Sequence, residues 1–419
     1  MKARELLNYV NKHKTIYCYG AGKYGRFIRA FLQENGIDLT AFVVTDDHQY
    51  DKVLDVPVIS VSNIEFKIHD GIIIGVSKRY RDQLLVELNH RNIDDCFIVY
   101  EHMISEIESE LTYRSWNKFC NPIWVLYYHR VNYLKSDIWK LSITPERFEE
   151  HIRYLVNNYD LISITDITKG VTEPSVAVTF DDGYADNLYY ALPILEKYNV
   201  PATIFVSTGN IDTKKEFWWD TLEHIICNST ILPDAIEWKG KKYITNSVES
   251  KLNTCFEMHP ILKGMTHVER ENELKWMAEK YDVKSVRYDE NRILSKEELR
   301  ELSKSKYINI GAHTITHSCL KNESEHEQVN EIVESKKKLE EIIGKRVTCF
   351  SFPFGGENDF SYKTISILKN SGIDMAFTTK SGLADKASDN FTIPRNWVQN
   401  DMTVGNLERM MMKLVLLSE

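Results

Sequence analysis

The sequence predicts an α/β protein of more than one domain. Three observations carry this. Within the first hundred residues, short apolar strands alternate with helical stretches, starting from Thr15-Ile-Tyr-Cys-Tyr19 and a glycine-rich turn. From Trp124 the alternation resumes, with apolar runs at Trp124–Tyr128, Val176–Phe180, Val200–Val206 and Val347–Phe352 separated by helical segments. The 419 residues are enough for two or three domains.

Composition narrows the class. The chain is 43% hydrophobic and 27% charged, which suits a protein with a large core. A net charge of -9 with acids and bases mixed along the chain argues against a general nucleic-acid or membrane-surface binder. Met1–Val10 has no apolar h-region before its first acid, and no run reaches the ~18–20 apolar residues of a membrane span. The seven cysteines are scattered, odd in number and without a Cys-x-x-Cys pair. Reduced thiols and a cytoplasmic location are therefore expected.

The N-terminal elements follow in order. Residues 1–14 read as an amphipathic helix, Thr15–Tyr19 as a strand, and the stretch to about Glu34 as a helix. Leu39–Val44 is a second strand. Gly20, Gly22 and Gly25 stand as Gly-x-Gly-x-x-Gly at the first strand-to-helix turn, where a pyrophosphate can approach a helix N-terminus. Asp46 or Asp47 could hold a ribose. Nucleotide or nucleotide-sugar binding, a nucleotide-free scaffold and NAD chemistry all remain open on these residues. Val56–Ile59, Asp70–Val76 and Cys96–Val99 are further strands, with a helix at about Arg79–Arg91; the fully apolar Asp70–Val76 is expected to be central. The stretch Tyr19-Gly-Ala-Gly-Lys-Tyr-Gly25 resembles the small Rossmann-like domains attached to sugar acyltransferases and methyltransferases of glycan pathways. That resemblance implies a Rossmann-like domain over residues 1–105, with 106–121 as linker.

The chemistry sits further on. Val176–Phe180 is a strand that ends in Asp181-Asp182-Gly183. Adjacent carboxylates raise each other's pKa unless a cation or hydrogen bonds compensate, although Asp-Asp-Gly is also a common turn. Ile308–His317 is a second strand running into a loop, with His313 and His317 four apart. Carboxylate and imidazole together suit a divalent transition metal, above all Zn2+, with Co2+, Mn2+, Ni2+ or Fe2+ as alternatives. Asp182, His313 and His317 would supply three ligands and leave a position for water, while Asp181 would take a proton from that water.

Thr179-Phe-Asp-Asp-Gly183, His313-Thr-Ile-Thr-His317 and Phe350-Ser-Phe-Pro-Phe-Gly355 resemble, in this order, three motifs of the polysaccharide deacetylases, the NodB-homology or carbohydrate esterase 4 group. The resemblance covers roughly residues 120–400. It implies a distorted (β/α) barrel over 122–400, a bound divalent metal and hydrolysis of an N-acyl, usually N-acetyl, group on a sugar. A helical insertion is expected at about 211–290 and a C-terminal helix over 401–419. Where many relatives have arginine at the start of the third motif, this chain has Ser351; Arg395 is the substitute expected to orient Asp181, unless it forms a surface ion pair. Many relatives also carry a C-terminal Leu-x-His, but no histidine follows residue 326. His129, after the first barrel strand, is the substitute for that general acid, unless metal-bound water or an acid from the insertion donates the proton and His129 is a histidine bonded to backbone.

Pro353, Phe354, Gly355 and Trp397 are expected at the substrate, with Phe354 and Trp397 around the acyl methyl and a backbone N–H after the third motif on the oxyanion. Trp219 either stacks on a sugar ring or packs the insertion onto the barrel. The function expected is removal of an N-acyl group from an amino sugar, carried on a nucleotide or a lipid, during surface-glycan assembly. Deformylation or O-acetyl ester hydrolysis are variants of that chemistry. An NAD-dependent sugar oxidoreductase, for which no Tyr-x-x-x-Lys is found, and a non-catalytic assembly scaffold are the competing classes. A nucleotide moiety at the first domain and a homo-oligomer are both open; no nucleic acid and no membrane span are expected.

Overall fold

A computed structural model of the chain describes residues 3–45, 52, 53, 56–67, 69–76, 78–91, 93, 95–110, 121–213, 215–229, 231–283, 289–400 and 402–417. They belong to two units, residues 1–120 with 408–419, and residues 121–407.

In the first unit, strands β1 (Thr15–Tyr19), β2 (Ala41–Val44), β3 (Lys52–Val53), β4 (Val56–Ser60), β5 (Asp70–Ile74) and β6 (Cys96–Ile98) form one sheet in the order β3-β4-β2-β1-β5-β6. All pairs are parallel except β3 with β4. Period-two alternation sends Ile16, Cys18, Phe42 and Ile73 to one face. There they pack on α1 (Ala3–Val10), α2 (Lys23–Glu34) and α4 (Glu101–Glu110). Tyr19, Val43, Ile72 and Ile74 turn to the other face, with Leu84 and Leu88 of α3 (Lys78–His90). The sheet is thus covered on both sides, as parallel sheets require. Strand β5 is interior but one place from the edge, not at the centre. Met103, Ile104 and Ile107 of α4 are buried in the first core, so this helix is part of the unit and not a free connector. Asp46 and Asp47, and residues 111–120 of the expected linker, lie outside the described residues.

The second unit is a curled parallel sheet. Its strands are β7 (Ile123–Tyr128), β11 (Ser175–Phe180), β12 (Ala202–Val206), β15 (Ile308–Ala312), β16 (Cys349–Ser351), β17 (Met375–Phe377) and β18 (Asn396–Trp397). They run in the order β17-β16-β15-β12-β11-β7-β18. Short pairs β8 (Arg130–Val131) with β9 (Ser142–Ile143), and β10 (Asp160–Leu161) with β11, are added at its rim. Residues 390–398 draw the two edges together. Ile393 bonds to Ala376 on β17 and to Thr378 just after it, and Val398 donates to Tyr127 on β7. Ile123, Val125, Ala177, Phe205, Cys349 and Phe377 fill the interior. The alternate positions Tyr128 and Phe180 face out, onto Phe148 of α5 (Pro145–Asn158).

Capping explains the helix starts. Thr144 accepts from Arg147 N–H ahead of Pro145, and Ser295 forms a capping box with Glu298 at α10 (Lys296–Leu302). Helix α11 (Glu325–Ile343) stops at Gly344 in the left-handed region. After β11, a π-helical turn (Asn187–Ala191) precedes α6 (Leu192–Lys197), where Pro193 cannot donate to the regular ladder.

The insertion is less uniformly helical than its composition suggests. It holds α7 (Trp218–Glu223), α8 (Val248–Lys263) and α9 (His267–Lys280), but also an antiparallel hairpin, β13 (Ala235–Trp238) and β14 (Lys241–Ile244). Lys239 and Gly240, both at positive φ, make its two-residue turn. The cysteines, scattered in sequence, are not all scattered in space: Cys227 Sγ lies 3.2 Å from Cys255 Sγ. The last helices are α12 (Tyr362–Asn370) and α13 (Val404–Leu417), and no described helix is long and apolar enough to cross a membrane.

Candidate active site

The site lies at the C-terminal ends of the barrel strands, where loops are free to diverge from a rigid frame. Asp181 extends β11, its N–H donating to Tyr128 O at 3.0 Å. The chain then turns sharply. Asp182 has φ +75° and Gly183 +82°; a Cβ on Gly183 would meet Val206 Cγ1 at 2.8 Å, so only glycine fits. From β15, His313 donates its N–H to Val206 O. Thr314 and His317 follow at φ +64° and +52°. Among the described residues ten non-glycines have positive φ, and four of them, Asp182, Thr314, His317 and Phe354, belong to the three motifs. Backbone strain of this kind concentrates at functional sites.

Asp182 Oδ1 lies 3.5 Å from His313 Nε2 and 3.4 Å from His317 Nε2. The three side chains are buried, and their candidate donor atoms lie within 4.8 Å of one another. His313 Nδ1 bonds to Ser351 O at 2.7 Å, which leaves Nε2 as a lone pair toward Asp182. Asp182 Oδ1 is buried with no hydrogen-bond partner among the described residues. Two donors on one tetrahedral zinc at ~2.0–2.1 Å stand ~3.3–3.5 Å apart, so the trio fits such an ion. Burial and the neighbouring His313 hold His317 well below the usual imidazole range, in the neutral form a metal needs.

Asp181 has a different partner. Arg395 Nη1 and Nη2 reach its two carboxylate oxygens at 2.7 and 2.6 Å. Arg395 is fully buried, not on the surface; it also donates to Ser351 Oγ, Thr179 Oγ1 and Thr378 O. The small Ser351 thus sits where it bonds the guanidinium that arrives from the later strand. Burial pushes the Asp181 carboxyl up, but Arg395 outweighs it and the net shift is downward, so the group is ionised.

His129 lines the same cavity, of about 360 Å³, as Asp181, Asp182, His313 and His317. Its Nδ1 is buried without a protein partner among the described residues, so it is not a histidine tied to backbone through that atom. Burial lowers its pKa, against the pull of Asp182 and Asp181. Phe354, Trp397 and Trp219 also line the cavity. Pro353 and Gly355 are buried in the turn and are not among its lining residues. The N–H groups of Gly355 and Gly356 are engaged by Pro353 O and Asp359 Oδ2, which leaves neither free for an oxyanion. Trp219 is 4% exposed, stacked on Phe217, edge-on to His317 and bonded to Tyr184 Oη, so packing claims most of it. Five lining residues escaped the sequence reading, Tyr127, Leu141, Thr379, Trp139 and His259. Trp139 and His259 lie in no motif, and only their aromatic type could have marked them. A larger cavity of about 600 Å³, lined by Lys215, Glu216 and Glu271 among others, contains none of the residues that face Asp182.

The glycines of the first unit have mainly structural reasons. A Cβ on Gly25 would meet Gly20 O at 1.9 Å, and Gly20 has φ +106°. Gly22, the N-cap of α2, has open space around it.

A family model described as Polysaccharide deacetylase matches residues 168–376. YxkH of Bacillus subtilis (strain 168), classed among the polysaccharide deacetylases, is 22% identical over 286 residues, 67% of this chain and 72% of YxkH. The Streptococcus pyogenes deacetylase PplD, solved in complex with acetate, aligns at a TM-score of 0.47 and 18% identity over 70% of this chain and 99% of PplD. IcaB from Ammonifex degensii aligns at a TM-score of 0.45 and 17% identity over 70% of this chain and 97% of its own.

Proposed function

We propose that this chain, a hydrolase by its match to the polysaccharide-deacetylase (carbohydrate esterase 4) family over residues 168–376, removes an N-acyl group, most commonly acetyl, from an amino sugar. One observation carries the reading: a buried carboxylate oxygen without a partner faces two imidazoles, beside a second carboxylate locked onto a buried arginine.

Asp182, His313 and His317 would hold a divalent metal, zinc by the chemistry of the donor set. When bound, such an ion polarises the acyl carbonyl and acidifies water. Asp181 then accepts the proton of the attacking water at a carboxylate oxygen. Arg395 and Ser351 fix that carboxylate in place and keep it ionised. His129, on the cavity wall, relays the proton taken up by Asp181 to the leaving nitrogen and returns to its neutral form. Phe354 and Trp397 pack the acyl methyl and keep bulk water from it.

The first unit is proposed to be Rossmann-like. Its parallel strands, numbered in sequence, run 3-2-1-4-5, and the open space at Gly22 supports approach of a phosphate-bearing group. We assign the protein to the cytoplasm and its substrate to a nucleotide or lipid carrier in surface-glycan assembly; the buried thiols Cys18, Cys319 and Cys349, which form no disulfide among the described residues, support the location. The test is mass spectrometry of acylated amino-sugar nucleotides and short lipid-linked saccharides incubated with zinc-loaded protein. Loss of one acyl group with wild type, and not with Asp181→Asn, is expected; no loss in any member despite bound zinc would contradict the reading.

A further inference from the structure

The cavity above the two aspartates has a wall that the barrel motifs do not supply. Trp139 comes from the loop between β8 and β9, and His259 from helix α8 of the insertion. Their rings are tilted against each other at 4.8 Å, and His259 also meets Trp218 at 4.8 Å. Phe354 approaches edge-on at 6.4 Å. Burial, with Lys263 and Arg270 nearby, pushes the His259 imidazole down to about 4, so near neutral pH it is an uncharged ring among uncharged rings. It makes no hydrogen bond among the described residues, although two indole rings pack against it. Across the cavity, Trp397 stands on β18. The indole Nε1 of Trp139 and that of Trp397 are both buried without an acceptor among the described residues. A buried N–H without an acceptor is costly, and a ligand oxygen removes that cost.

A sugar ring answers these features together. Its C–H face stacks on an aromatic ring, and its hydroxyl and acyl oxygens accept from indole N–H groups. At about 360 Å³ the cavity stands near the lower end of the ~300–1,000 Å³ range of small-molecule sites. With Trp139 and His259 closing one side, the space suits one acylated sugar and part of a neighbour, not a polymer passing through.

We infer that Trp139 and His259 form the wall that holds the ring of the acylated amino sugar, and that this wall restricts the enzyme to a sugar at a chain end or in a short saccharide. The inference rests on the proposed deacetylase reading and adds to it the size of the substrate.

The test uses the full-length zinc-loaded protein with N-acetylglucosamine and N-acetylgalactosamine oligosaccharides of several lengths and a long N-acetylated polymer. Mass spectrometry locates each residue that loses acetyl. Loss confined to one terminal residue, with the polymer interior untouched, is expected. Trp139→Phe, which keeps the ring and removes the N–H, should raise KM several-fold, and His259→Ala by about tenfold, while kcat stays within about threefold; His259→Phe should restore KM. Internal deacetylation as fast as terminal, or unchanged KM in Trp139→Phe and His259→Ala, would overturn the inference. Absence of turnover from every substrate would sink the deacetylase reading instead. Titration of tryptophan fluorescence with the same oligosaccharides then decides the wall: saturable binding weakened by His259→Ala would support it, and no binding would overturn it.

Discussion

Two turns at the C-terminal ends of parallel strands make an instructive pair. After β1 the chain passes through Gly20, Gly22 and Gly25; after β11 it passes through Asp181, Asp182 and Gly183. In the first, Gly20 and Gly25 are explained by backbone conformation and by the 1.9 Å approach of a would-be Cβ to Gly20 O. In the second, one glycine serves the same purpose, but two buried carboxylates come with it. Asp181 is held by Arg395, while Asp182 faces two imidazoles with an oxygen that has no hydrogen-bond partner among the described residues. Similar local geometry thus builds a packing device in one place and a charged site in the other. Buried charge with atoms left unsatisfied distinguishes them, not the glycines.

That contrast can be broken by substitution. The largest effect is expected at the metal trio. His313→Ala or Asp182→Asn should lower bound zinc from about one per chain to near none and abolish deacylation, read by metal analysis and product release. Arg395→Met should come next. It strands Asp181 as a buried uncompensated charge, at a cost of ~3–5 kcal/mol in denaturant unfolding. If Arg395→Met unfolds at the wild-type midpoint, the pair is not what holds the site together.

The barrel should also lose stability in acid. His151 is fully buried between Tyr128 Oη and Met402 O, and burial pushes its pKa down to about 4. An unfolded imidazole binds its proton below about 6.5. The stability is therefore complete above pH 6.5 and drains away as pH falls toward 4, by up to ~3 kcal/mol. Melting curves between pH 7 and 4.5 should fall less steeply for His151→Asn than for wild type; parallel curves would contradict this.

The glycine turn sharpens the comparison from the other side. Gly25→Ala should cost ~1–3 kcal/mol of the first unit's stability through overpacking. Gly22→Ala, with open space around it, should stay within ~0.5 kcal/mol. A Gly22→Ala variant as damaged as Gly25→Ala would mean that the space at Gly22 is not open.

Local features were the legible ones. The apolar strands and the Asp-Asp-Gly and His-x-x-x-His spacings all express interactions between residues close in sequence. The fate of Arg395 was less legible. Its partner Asp181 is 214 residues away, and nothing in Pro394-Arg395-Asn396 separates a buried ion pair from a surface one. The hairpin at 235–244 lies inside the stretch expected to be a helical insertion. Yet Ile236, Trp238 and Tyr243 alternate around Gly240, a period-two signal that was there to be read. Trp139 and His259 carried no signal beyond aromatic type, since only the tertiary fold brings a loop and an inserted helix to one cavity.

The central claim is that one aspartate of the pair holds a metal while its neighbour handles a proton. Zinc content and acyl release should be measured side by side for wild type and Asp181→Asn, on whichever acylated amino sugar the wild type accepts. The account predicts that the variant keeps its zinc and loses ~10²–10⁴-fold in rate. A variant that stays near the wild-type rate, or that loses its zinc, would contradict the division of labour between Asp181 and Asp182.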